Sequence, residues 1–122
     1  MVKIKRIYDE PAPDDGRRIL VDRIWPRGLS HEEVRVSVWL KDLAPSTTLR
    51  KWFGHEPDRW PEFRERYLAE LAGPAAQALL QELADLAQAE TVTLVYAARD
   101  QRRNNAVVLK ELIEERLAAS RL

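Results

Sequence analysis

Three short segments of this 122-residue sequence concentrate side chains that can bind or transform a polar ligand: Asp22 to Gly28, Lys41 to Ser46, and Ala98 to Asn105. Arg23, Arg27 and Arg99 carry planar guanidinium forks that match a phosphate or carboxylate with parallel hydrogen bonds. Ser46 and Asn105 stand where helices are expected to begin, and the free N–H groups of a helix start also favour an anion. These residues together point to an anionic small molecule. Trp25, Trp39 and Trp52 lie in or beside the same segments and offer stacking surfaces for a base or ring, which would make the ligand nucleotide-like. Asp22 is the best carboxylate for proton transfer, and His55 is the residue whose ordinary pKa, near about 6.5, suits a general acid or base.

The same residues also admit an architectural role. A guanidinium beside Asp22, Asp42 or Asp100 can simply fasten loops, and pairing with arginine would depress the Asp22 pKa and weaken it as an acid. Large indole rings belong to a core more often than to a ligand platform. The Asn104-Asn105 pair can meet a ligand amide or base edge, or cap the last helix. His31 is expected to be solvent-exposed.

Composition narrows the chemistry. The chain has no cysteine, which removes disulfides, thiolate metal sites and a cysteine nucleophile; with two histidines besides, no metal site is expected. There is no phosphate-binding glycine loop, no dinucleotide fingerprint, no His-Glu-x-x-His and no Gly-x-Ser-x-Gly. The residues name no cofactor. Twenty Lys and Arg balance twenty Asp and Glu, so any attraction for anions must be local. No stretch approaches the roughly 18 apolar residues of a membrane span, and the charged amino terminus lacks an apolar signal core. A cytoplasmic protein with no membrane partner is therefore expected. The oligomeric state is not legible.

The elements that must position these residues follow from spacing. Residues 1–122 read as one domain, with 45% apolar and 33% charged residues. Val2 and Ile4 alternate with Lys3 and Lys5 and lead to Ile7 and Tyr8, a half-buried strand. Asp9 to Gly16 is a turn region rich in proline and aspartate. Ile19 to Val21 and Thr91 to Ala97 are continuous apolar runs of the kind that fill a parallel sheet. Ser30 to Glu33 has capping-box spacing and is expected to open a short turn of helix before Val34, Val36, Val38 and Leu40 alternate as a third strand, with a short helix running through Leu40 as the competing reading. Helices are predicted from Ser46 to Gly54, from Asp58 toward Gly73, from Pro74 through Ala87, and from about Asn105 onward. Strands separated by helices predict an α/β fold, a mostly parallel sheet of about four strands flanked by helices. In such a sheet, ligands collect beyond the carboxyl ends of the strands, which is where the three polar segments fall.

Val21 to Gly28, Trp39 to Ser46, Leu49 to His55, Tyr96 to Asp100 and Asn104 to Leu109 together resemble the YeaO family, a branch of the group named domain of unknown function 488. The resemblance covers nearly the whole chain, with the motifs in the same order. It implies a small α/β protein and transfers no activity. It adds Arg50 and Tyr96 to the ligand-binding set of Arg23, Trp25, Arg27, Ser46, Trp52, Arg99 and Asn105, with Asp22 and His55 as the catalytic pair. The resemblance also shows departures: Arg103 stands where many members carry a histidine before the paired asparagines, and Ser37 where many carry an acidic residue.

Three functions compete. The first is an enzyme acting on an anionic, nucleotide-like molecule; the second is a binding or protein-interaction module without turnover. The third is nucleic-acid binding through Lys41, Arg50, Lys51, Arg102 and Arg103, which the zero net charge disfavours. The first two require Arg23, Arg27, Arg50 and Arg99 to share one concave surface.

Overall fold

The computed structural model describes residues 1–121. Four strands, β1 (Val2–Arg6), β2 (Arg17–Leu20), β3 (Val38–Trp39) and β4 (Val92–Tyr96), form one sheet in the order β1-β4-β2-β3. Every neighbouring pair is parallel, with Leu94 of β4 opposite both Ile4 and Ile19. The α/β expectation holds, and all four strands deliver their following loops to the same edge.

Alternation along the strands gives the sheet two unlike faces. Val2, Ile19, Val21, Leu94 and Tyr96 belong to the main core, which the helices cover. These are α2 (Thr47–Phe53), α3 (Trp60–Glu70), α4 (Pro74–Ala89) and α5 (Asn105–Ala119). α2, α4 and α5 start as the sequence predicts, whereas α3, expected from Asp58, begins at Trp60 after a 3-10 turn over Pro57–Arg59. Ser46 accepts from Leu49 N–H to cap α2, Pro61 and Pro74 occupy first turns, and Asn104 accepts from Val107 N–H to cap α5. Among the described residues, no helix is long and apolar enough to cross a membrane.

The opposite face has a smaller apolar cluster of Ile7, Leu20, Val34 and Val95, flanked by Trp25, Leu29 and Trp39. Here the sequence expectation needs one correction. The capping box at Ser30 opens the expected short turn of helix, α1 (His31–Val34), but that turn takes in Val34 and is ended by Arg35 in a left-handed conformation at φ +48°. The third strand is therefore only Val38–Trp39, and Val34 reaches the core from a helix rather than a strand.

β1 reaches β2 by crossing the strand position between them without an α-helix, and the backbone of that crossover must find partners on the sheet. Asp15 supplies them. Its carboxylate accepts from Ala12 N–H at 3.0 Å, from Arg18 at 2.7 Å and from Lys5 at 3.2 Å, while its carbonyl accepts from Thr93 Oγ1 at 2.6 Å. Both Asp15 and Arg18 are 3% exposed. Gly16 then lies so close to β4 that a Cβ there would stand 2.2 Å from the Thr91 carbonyl oxygen, which bonds to Arg17 N–H at 2.9 Å. Only glycine fits, at φ +62°.

Burial alone would raise the Asp15 pKa, but the Ala12 N–H, Lys5 and Arg18 prevail and hold it below the usual aspartate value. Its stabilising contribution is therefore present above the unfolded aspartate pKa and disappears as pH falls through the lower folded one. Asp15→Ala, which strands buried Arg18, should lower stability at pH 7 by about 3–5 kcal/mol in urea unfolding. An unchanged midpoint would contradict this account of the crossover.

Candidate functional site

The carboxyl edge of the sheet opens into a cavity of about 1100 Å³. Asp22 stands at its base, immediately after β2. One carboxylate oxygen accepts from Ala97 N–H at 2.9 Å and the other from Asn105 Nδ2 at 3.2 Å; the same amide also donates to the Val21 carbonyl at 2.8 Å. These bonds join the end of β2 to the end of β4 and the start of α5. Among the described residues, no arginine pairs with Asp22. Burial pushes its carboxyl above the ordinary aspartate value, although Ala97, Asn105 and the positive fields of Arg50 and His55 pull downward. The expected depression by arginine pairing is thus replaced by a rise.

The arginines divide into two kinds. Arg23 donates to the carbonyls of Pro45 and Ala44, and Arg6 to those of Ala98 and Ala97, so these two pin the loops after β3 and β4. Arg27, Arg50 and Arg99 line the same cavity, and among the described residues their side chains have no hydrogen-bond or ion-pair partner. All three are exposed. Arg103 also reaches the lining and pairs with Asp100 at 3.1 Å. The Arg102 N–H and the Arg103 side chain hold the Asp100 pKa below its ordinary value. The lining therefore carries six arginines and His55 against two aspartates, a local positive excess in a chain of zero net charge.

His55 reaches the cavity mouth through an unusual turn. Gly54 caps α2 in the left-handed region at φ +53°, and His55 follows at φ +59°, a region histidine tolerates better than most residues. Trp25 lines the cavity, but His31 stacks on it at 3.9 Å and Trp39 meets it edge-on at 5.3 Å. Its indole N–H donates to Leu29 O, which fixes the loop.

Three residues of the expected set stand elsewhere. Ser46 binds Glu70 through its N–H at 2.8 Å and its hydroxyl at 2.6 Å. Trp52 packs under the guanidinium groups of Arg66 at 4.4 Å and Arg59 at 5.6 Å. Tyr96 is 2% exposed in the main core, and burial raises its pKa. None of the three lines the cavity. Conversely, Arg6, Tyr8, Phe53 and Phe63 line the cavity unannounced. Arg6 and Tyr8 follow from the strand-end rule applied to β1; Phe63 carries no signal beyond helical periodicity.

The family described as the inactive DUF488-N3 subclade matches residues 1–121. The chain belongs to that family. An uncharacterized protein of Mycobacterium tuberculosis is 46% identical over 115 residues, covering 94% of this chain and 95% of the relative. The uncharacterized protein YeaO of Escherichia coli is 43% identical over 110 residues, covering 90% and 94%. No solved structure matches. The resemblance read from the motifs is thus correct, and the relatives bring no assigned chemistry. Among the described residues no group of His, Asp and Glu side chains is arranged to hold a metal ion.

A carboxyl-carbon NMR titration should place the Asp22 midpoint above the ordinary value of about 3.9, and those of Asp15 and Asp100 below it. An Asp22 midpoint at or below the ordinary value would mean that the cavity base is wet or ion-paired.

Proposed function

We propose that this chain is a cytoplasmic receptor for a small anionic molecule, bound in the carboxyl-edge cavity and released unchanged. The observation that carries the reading is the convergence of Arg27, Arg50 and Arg99 on one concavity without internal acceptors. Like charges held together raise the free energy of the unliganded protein, and an anion would relieve that repulsion. Arg23 and Asn105 supply the frame, with Trp25 as a fixed side wall.

Binding without turnover is supported by the family's description as inactive and by the state of the polar groups. The Ser46 hydroxyl is engaged by Glu70 and lies outside the cavity lining, and there is no cysteine. A second reading has its own support: the raised pKa of Asp22, in a cavity shared with His55, is the condition a general acid needs.

Titration calorimetry with pyrophosphate tests the proposal. The parent chain should bind in a salt-dependent manner, and Arg50→Ala and Arg99→Ala should each weaken binding at least about tenfold, since a charge-assisted hydrogen bond contributes roughly 1.5–3 kcal/mol. Arg116→Ala, whose parent residue bonds to Gln77 and Gln81 outside the cavity, should leave affinity unchanged. Equal effects at all three positions, or no binding at millimolar pyrophosphate, would overturn the reading.

A further inference from the structure

The cavity is polar in opposite senses at its two ends. At the mouth the exposed Arg27, Arg50 and Arg99 offer only donors. At the base the open positions are acceptors. Asn105 is 9% exposed, its Nδ2 is taken by Val21 and Asp22, and among the described residues its Oδ1 receives no hydrogen bond. The Asp22 carboxylate has lone pairs beyond the two that Ala97 and Asn105 occupy. A bare anion would satisfy the mouth and be repelled at the base. The same lining includes Phe53, Phe63, Ile24 and Pro45, which favours a flat, weakly polar body over a short zwitterion.

We infer that the cavity selects a nucleoside monophosphate whose base carries an exocyclic amino group, the phosphate meeting the arginines and the amino group donating to Asn105 Oδ1 and Asp22. This deepens the anion-receptor reading and rests on it. The volume of about 1100 Å³ is at the upper end of small-molecule sites and accommodates a mononucleotide. An amino group offers two N–H bonds, matching the two acceptor side chains at the base. A ligand lacking that group leaves both unpaired in a half-dry site, which is the basis of strong discrimination.

The test compares adenosine 5′-monophosphate with purine riboside 5′-monophosphate, which differs only in lacking the 6-amino group, and with inorganic phosphate, by calorimetry on the full chain. Adenosine monophosphate should bind at least about tenfold more tightly than the purine analogue, with phosphate weaker than either. In Asp22→Asn the ratio between the two nucleotides should fall to about twofold or less while both still bind. Should that variant fail to fold, the two nucleotides on the parent chain decide the question alone. Equal affinity for the two nucleotides, or phosphate binding without nucleotide binding, would overturn the inference and leave the anion receptor standing. Absence of binding by all three compounds would overturn both.

Discussion

Asp22 holds the candidate site together by joining three elements that the chain visits far apart. Its carboxylate receives the first N–H beyond β4 and the amide of the first residue of α5, while its own carbonyl receives the Trp39 indole N–H at 2.6 Å. The ends of β2 and β4, the start of α5 and the edge strand are thereby fixed relative to one another. Because these strands run the same way, fixing their ends also fixes the loops after β2, β3 and β4 that border the cavity. The joint requires a carboxylate to be buried, and the raised pKa of Asp22 expresses that unfavourable burial. A group held in this way is available either as a reader of ligand donors or as an acid, and its location between the strand ends serves both.

Arginine has opposite roles elsewhere on the sheet. Arg18 lies buried against Asp15, with Lys5 as a second cation, and the arrangement closes on itself apart from one guanidinium nitrogen, Arg18 Nη2. This cluster secures the helix-free crossover between β1 and β2. At the carboxyl edge, Arg6 and Arg23 hold backbone carbonyls, whereas the side chains of Arg27, Arg50 and Arg99 have no hydrogen-bond or ion-pair partner among the described residues. Equal totals of acidic and basic residues conceal this division. The proposed anion site rests on the local positive excess in the cavity lining, not on the total.

Much of this was legible in the residues because it depends on local rules. Capping side chains, first-turn prolines and continuous apolar runs located the helices and the central strands. The strand-end rule then gathered Asp22, Arg23, Arg27, Arg99 and Asn105 at one edge, and the family resemblance added Arg50. The end of the short helix at His31–Val34 and the length of β3 were harder, because a capping box and a valine alternation overlap there and the packing of Val34 against Ile7, Leu20 and Val95 decides between them. Ser46, Trp52 and Tyr96 share motifs with lining residues yet face other partners, since proximity in sequence does not fix which way a side chain turns. The buried Asp15 cluster was hidden for a similar reason: nothing in an aspartate of a proline-rich turn announces that β1 and β2 will bring Lys5 and Arg18 to it.

The account turns on whether Arg27, Arg50 and Arg99 are held open for an external anion. The most direct measurement follows the side-chain Nε–H resonances of all arginines by NMR during titration with inorganic phosphate. The account predicts that the resonances of these three shift together and saturate with one dissociation constant, while those of Arg18 and Arg116 stay still. A small, unsaturable drift shared by every exposed arginine would contradict it, and would leave the three as ordinary solvated surface charges.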